Sequence, residues 1–206
     1  MASEDFRQTA KVVPSPNPRD ADKVALRRMV RINRRAYVET LGEQQKSGLE
    51  QALAGVLSPL LDKSRIIGGY CPLPGEISPI PAMESAQSRG IVTAYPAFAD
   101  HQENFRFLAG EPEEIGPWAI YQPLLDAPHV HPDLVLLPLL AVDRNGTRLG
   151  QGKGHYDRVV GDLRSRGALL IGLGWQSQLL DSEIPTDPWD VPLDGFASPA
   201  GLETFR

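Results

Sequence analysis

The chain has 206 residues, 41% of them hydrophobic and 23% charged, the mix of a globular domain with enough length for one stable core. A formal net charge of −5 excludes a global pull towards nucleic acid or an anionic membrane, so any anion site has to be a local concentration of positive charge. Cys71 is the single cysteine, which excludes an internal disulfide and reads as a buried or pocket-lining thiol, not a nucleophile. The N-terminal region lacks an apolar signal-peptide core and no stretch reaches membrane-spanning length, so a cytoplasmic protein is expected.

Residues 1 to 19 are polar and carry Pro14, Pro16 and Pro18; they are expected to form a mobile extension ahead of a single domain over 20–206. Asp20 or Asp22 is placed to cap a helix starting near Lys23, with Leu26, Met29, Val30 and Tyr37 near one face and Gly42 as its stop. A second helix is expected over 43–61, bent or broken at Pro59. Buried strands follow at 65–70, 91–95 and 104–108, with a short helix at 82–88. The apolar run 134–142 reads as a central strand covered on both faces, with a bulge or bend at Pro138. A turn at 143–146, a helix from near His155 to before Gly167, and a strand at 168–173 complete the pattern, ahead of a proline-rich acidic tail. Alternating helices and buried strands predict an α/β sandwich of three layers, a mostly parallel central sheet flanked by helices.

The chemistry concentrates in Arg148-Leu-Gly-Gln-Gly-Lys-Gly-His-Tyr-Asp-Arg158. Gly150, Gly152 and Gly154 alternate, so the backbone can fold closely around an anion with its N–H groups turned inward. The following helix N-terminus adds partial positive charge. Lys153 offers a mobile cation, Arg148 a planar fork for phosphate oxygens, and Asp157 a carboxylate for Mg²⁺. A Walker A loop is excluded, because Thr147 stands where its first glycine belongs and Gly154 replaces its Ser/Thr. A dinucleotide fingerprint is excluded by His155 at the position of its third glycine. Asp143-Arg-Asn145-Gly146 begins like a calcium loop, but its glycine comes too early.

The stretch DLVLLPLLAVDRNGTRLGQGKGHYDR resembles the signature of the 5-formyltetrahydrofolate cyclo-ligase family, with Gly154-His155-Tyr156-Asp157 closing the loop and histidine in place of the commoner first tyrosine. Other segments resemble the family in the same order over about 21–199: Lys23 and Arg27 on an early basic helix, Tyr70-Cys-Pro-Leu-Pro-Gly-Glu76 after the first strand, Trp118-Ala-Ile-Tyr-Gln-Pro123, and Asp190-Val-Pro-Leu-Asp194. The resemblance implies an ATP- and Mg²⁺-dependent ligase that closes 5-formyltetrahydrofolate, with or without a polyglutamate tail, to 5,10-methenyltetrahydrofolate. It implies no nucleic acid, membrane or obligate protein partner.

Under the resemblance, Lys153 and Arg148 stabilise the transferring phosphate. Lys23, Arg27 and the loop residues Leu149, Gly150, Gln151, Gly152, Gly154, His155 and Tyr156 bind nucleotide. Tyr70, Cys71, Glu76 and Trp118 line the folate pocket, which shares Gln151, Gly152, Gly154 and His155 with the nucleotide. Asp157 and Asp190 hold the metal, with Asp187 as rival to Asp190. Arg31 shares the helical face of Lys23 and Arg27, whereas Arg28, Arg34 and Arg35 are assigned to solvent, and His129 and His131 to a loop. The competing readings are a sugar-phosphate isomerase or coenzyme A transferase of related fold, which need no ATP, and a folate or nucleotide sensor, which binds without turnover.

Overall fold

The computed structural model describes residues 18–101 and 104–205. The extension expected over 1–19 lies outside these residues except for Pro18 and Arg19, which open α1 (Pro18–Glu39). Proline suits a first helical position, where no N–H partner is needed. Asp20 and Asp22 therefore fall inside the first turns and not at a cap. α2 (Glu43–Leu61) follows Gly42 and carries Pro59 without breaking. β1 (Ile66–Gly68), α3 (Ile80–Ser88), β2 (Val92–Ala97) and β3 (Arg106–Ala109) come next, then a small hairpin of β4 (Glu114–Ile115) and β5 (Tyr121–Gln122).

The apolar run, expected as one strand with a bulge or bend at Pro138, divides there into two strands. β6 (Leu134–Pro138) stays in the main sheet; β7 (Ala141–Asp143) turns away and pairs with β8 (Arg148–Leu149). α4 (Asp157–Ser165), β9 (Leu169–Leu173), β10 (Leu179–Leu180), β11 (Gly195–Ser198) and β12 (Gly201–Thr204) complete the chain.

The main sheet has seven strands in the order β12-β11-β9-β6-β1-β2-β3, and β10, β7 and β8 form a separate three-stranded sheet. From β2 to β11 all neighbours run parallel; only the edge strands β3 and β12 are antiparallel. Side chains of β6 alternate between two cores. Leu134 and Leu136 pack with Leu53, Leu57 and Leu61 of α2, whereas Val135 and Leu137 pack with Val160 and Leu163 of α4. Helices therefore cover both faces, and the three-layer expectation holds.

From β1 the chain moves outward through α3 to β2, then returns to β6 on the other side of β1. Such a reversal opens a crevice beyond the carboxyl ends of the two central strands, the usual ligand position in open α/β sheets.

α1 docks across the end of this crevice. Its inward stripe is Lys23, Arg27, Val30 and Arg34, spaced i, i+4, i+7 and i+11. Val30 joins Leu140, Ala141, Leu149 and Ile184 in a third apolar cluster. Met29 and Tyr37, expected near a buried face, are exposed. Arg34, expected in solvent, is 8% exposed because it lies on that inward stripe; Arg28 and Arg35 do face solvent. Among the described residues no helix is long and apolar enough to cross a membrane.

Candidate active site

Asp143 shapes the approach to the glycine loop. Buried at the end of β7, its carboxylate accepts the N–H groups of Asn145, Thr147 and Ile184, each at 2.9 Å. Gly146 makes the turn at φ +80°, where a Cβ would come within 2.7 Å of the Leu193 carbonyl. The chain re-emerges as β8, with the Leu149 side chain in the core; Leu149 thus anchors the loop and does not line the cavity. Gly152 and Gly154 then adopt φ +96° and +69°, left-handed values that a Cβ would strain.

α1 clamps this loop. Arg27 Nε donates to the Gly150 carbonyl at 3.1 Å, and Arg31 Nη2 to the Gln151 carbonyl at 2.8 Å. The loop carbonyls are thereby satisfied by cations from α1. Arg31, which the family pattern did not single out, joins the site on the same helical spacing as Arg27.

A cavity of about 370 Å³ opens between the loop, the ends of β1 and β6, and the β4–β5 hairpin. Of the residues expected at the site, Tyr70, Cys71, Glu76, Trp118, Arg148, Gly150 and all of 151–157 line it. Phe98, Phe105, Arg31 and Arg34 line it as well. Lys23, Arg27, Leu149 and Asp190 are not among its lining residues.

Glu76 sits on the cavity floor, 6% exposed. Its Oε2 accepts Leu73 N–H at 3.0 Å and its Oε1 accepts Gln151 Nε2 at 3.1 Å. Arg34 Nη1 stands 3.8 Å from Oε1, an ion pair without a hydrogen bond. Gly75, at φ +82°, aims Glu76 inward, and Trp175 Nε1 fixes that turn by donating to the Gly75 carbonyl at 3.0 Å. Burial, reinforced by Glu76, pushes the Tyr70 phenol well up; the Tyr156 phenol rises for the same reasons. Both stay protonated donors, and Tyr70 Oη already gives its proton to the Ile77 carbonyl at 2.6 Å. Burial pushes the Cys71 thiol up to about 11, which agrees with a pocket-lining thiol and not a nucleophile.

The opposite wall is aromatic. Trp118 and Ala119 take left-handed φ of 68° and 55°, unusual for residues with a Cβ. Trp118 packs against His155 at 5.6 Å between ring centroids, and Lys153 Nζ lies 4.7 Å from the Trp118 centroid. Gln122, unremarked in the sequence, ties this hairpin down: Oε1 accepts Phe98 N–H at 3.0 Å, and Nε2 donates to the Phe98 carbonyl at 3.2 Å and to Glu114 at 3.0 Å. Gly116 leaves room for it, since a Cβ there would sit 2.0 Å from Gln122 Oε1.

The two expected metal ligands each hold a cation. Arg148 Nη2 pairs with Asp157. Lys23 Nζ binds Asp187 at 2.6 Å and Asp190 at 3.0 Å. Burial lowers the Lys23 pKa, but the hydrogen bonds and charges of Asp187 and Asp190 outweigh it and leave the ammonium above its ordinary value. Among the described residues no group of three or more His, Cys, Asp or Glu is placed to hold a metal. Magnesium commonly takes one or two carboxylates and completes its shell with phosphate oxygens and water. Asp157, half exposed beside the loop, fits that sparse requirement.

Residues 19–199 match the model of the 5-formyltetrahydrofolate cyclo-ligase family. Among similar proteins, a 5-formyltetrahydrofolate cyclo-ligase of Mycolicibacterium smegmatis is 30% identical over 89% of this chain and 97% of its own length. One from Haemophilus influenzae is 29% identical over 81% and 94%. The solved structure of Aquifex aeolicus 5,10-methenyltetrahydrofolate synthetase superposes with a TM-score of 0.73 at 26% identity, covering 89% of this chain and 93% of that one. The crevice at the strand reversal and the loop that closes it therefore sit in a matched sequence and a shared fold: this chain belongs to the 5-formyltetrahydrofolate cyclo-ligase family.

Proposed function

We propose that this chain closes 5-formyltetrahydrofolate to 5,10-methenyltetrahydrofolate while ATP becomes ADP and phosphate. The observation that carries the reading is one cavity lined both by a buried carboxylate, Glu76, and by the glycine loop over 150–154, which meet where Gln151 Nε2 donates to Glu76 Oε1. A carboxylate suits the adjacent N–H donors of a pterin ring; loop amides beside cations suit phosphates. The two reactants would meet where these walls meet. Folate, mono- or polyglutamated, and ATP are the partners implied, in a cytoplasmic setting.

In this reading the N5-formyl oxygen attacks the γ-phosphorus; a new O–P bond forms as the bond from phosphorus to the ADP oxygen breaks. N10 then attacks the activated carbon, the C–O bond breaks, and the N10 proton ends on the departing phosphate. The protein's share is positioning and charge. Arg148 and Lys153 take the transferring group, the loop amides cradle it, and Arg27 braces the loop from α1, with Lys23 one turn earlier paired to Asp187 and Asp190. Glu76, Tyr70 and Trp118 orient the pterin. Magnesium, when bound, screens the phosphate charges, and Asp157 would hold it, with Asp190 joining only by releasing Lys23.

Incubating the protein with 5-formyltetrahydrofolate and MgATP, and following the methenyl chromophore, tests the reading. Product is expected only with both substrates and a divalent metal present. Product at an unchanged rate without nucleotide overturns the mechanism; binding of both ligands without product leaves a sensor.

A further inference from the structure

Arg34 is a buried cation that the reaction as described does not use. It lines the cavity between α1 and the β1 end, beside Glu76 and Tyr70. Its Nη1 is shut off from solvent and has no hydrogen-bond partner. The nearest acid, Glu76 Oε1, is 3.8 Å away, close enough for charge and too far for a hydrogen bond. An unmade hydrogen bond on a buried charged group is a cost that folding normally avoids. It is accounted for if a ligand that displaces the Gln151 side chain from Glu76 Oε1 brings the acceptor to it.

Glu76 has the complementary deficit. A carboxylate offers about four acceptor positions. The bonds it makes are to Leu73 N–H and to the Gln151 side chain. Gln151 is itself shared, since its Oε1 accepts Arg31 Nε at 3.2 Å and Nη2 at 3.1 Å. A ligand donor that takes the place of Gln151 on Glu76 Oε1 lands on the oxygen that faces Arg34 Nη1. The cavity floor thus sets spare acceptor capacity next to a spare donor. One edge of a pterin has the matching order: the 2-amino and N3–H donors, then the 4-oxo acceptor.

We propose that Arg34 determines specificity at the folate site by donating Nη1–H to the 4-oxo group of a pterin whose N3–H and 2-amino groups bind Glu76. The inference rests on the reading of this cavity as the folate pocket, and adds what the pocket selects. A 4-amino ring would turn an N–H donor towards the Arg34 donor and, having no N3–H, a lone pair towards Glu76, so it loses one bond at each residue.

The test is a calorimetric titration of 5-formyltetrahydrofolate and its matched 4-amino counterpart, 5-formyltetrahydroaminopterin, against wild type, Arg34→Lys and Arg34→Met. Wild type is expected to prefer the 4-oxo ligand by about tenfold or more, the scale of one hydrogen bond to a charged group. Arg34→Met should lose that factor for the 4-oxo ligand and leave the 4-amino ligand within about threefold, so the preference falls by the Arg34 share and what remains is the N3–H bond to Glu76. Arg34→Lys, which keeps a donor, should retain part of it, and ATP affinity should not move in any variant. Equal losses for both ligands in Arg34→Met would reduce Arg34 to a support for Glu76 and overturn the assignment. Wild type needs no substitution to be informative: binding both ligands equally overturns the proposed seating of the pterin edge on Glu76 and Arg34, and binding neither overturns the folate reading with it.

Discussion

Replacing Glu76 with glutamine separates what this carboxylate does for the fold from what it does for the ligand. Both Glu76 and Arg34 have side chains less than a tenth exposed, and their charges are 3.8 Å apart. With an effective dielectric of about 20, that separation corresponds to an attraction of about 4 kcal/mol. Glutamine keeps the shape and one acceptor oxygen but leaves Arg34 buried without a counter-charge. Part of the loss is recovered because a neutral amide is easier to bury than a carboxylate. The expected net destabilisation is about 2–4 kcal/mol, a fall in Tm of roughly 4–16 °C for a chain of this size. Removing both charges in Glu76→Gln/Arg34→Met should recover most of that loss, because the stranded cation goes too. Folate affinity should fall by about 10- to 150-fold, the range of a charged hydrogen bond of roughly 1.5–3 kcal/mol, with ATP affinity unchanged. Thermal melts and separate titrations, run well below the lowered Tm, read both effects. A Tm within a degree of wild type refutes the buried pair, and equal losses for both ligands remove Glu76 from the folate pocket.

Lys153→Ala should lower kcat on the order of 10²-fold while Tm hardly moves, since its packing is an exposed contact on Trp118 worth about 0.5–1 kcal/mol; near-normal kcat in a folded variant removes the loop from phosphate transfer. Asp157→Asn should raise the Mg²⁺ concentration needed for half-maximal rate, and Asp190→Asn should do so more than Asp187→Asn; the reverse order in a metal titration moves the second ligand to Asp187. Cys71, whose thiol burial has raised from 9.0 to about 11, should alkylate slowly at pH 8, about tenfold faster with each pH unit, and level off only above pH 11. Stability linked to this thiol is fully present below pH 9 and lost between about 9 and 11, a loss that Cys71→Ala should remove from the pH–stability curve; rapid labelling of the native protein at pH 8 contradicts the upward shift of this half-buried thiol.

The parts legible in the sequence are those whose chemistry is local. Alternating glycines between a strand and a helix predict a phosphate-sized turn, and Gly152 and Gly154 do take left-handed φ. Pro138 inside an apolar run predicts a bulge or bend, and the chain goes further than that: the run divides between two sheets there. Apolar periodicity misreads α1 because the stripe turned inward is mostly cationic. Lys23, Arg27 and Arg34 are held by acids and carbonyls supplied from far along the chain, so no hydrophobic signal marks them. Gln122 and Gln178 were equally silent. Each is a buried amide whose partners, such as Phe98 for one and the Leu139 and Leu140 carbonyls for the other, exist only after the chain has folded. The small strands β4, β5, β8 and β10 are two residues long, too short for any alternation to register.

The ion pairs at the site explain how so many cations can be gathered in a chain whose net charge is negative. Arg148 rests on Asp157, Lys23 on Asp187 and Asp190, and Arg34 on Glu76. Each acid holds a cation in place and offsets the repulsion among positive groups around one loop. The first two pairs differ from the third in what would exchange. When a nucleotide phosphate reaches Arg148 or Lys23, a carboxylate is released at the position where a divalent ion travelling with that phosphate needs a ligand. Arg34 and Glu76 have no such exchange; a pterin edge would satisfy both at once without parting them. The hypothesis is therefore that the ion pairs on the nucleotide side of the cavity are exchanged by its ligand, whereas on the folate side the Arg34–Glu76 pair is preformed and only Gln151 gives way. The asparagine series at Asp157, Asp187 and Asp190 bears on the first half, because an exchange predicts a shifted metal requirement where a purely structural pair predicts only a shifted Tm. The paired 4-oxo and 4-amino titrations bear on the second.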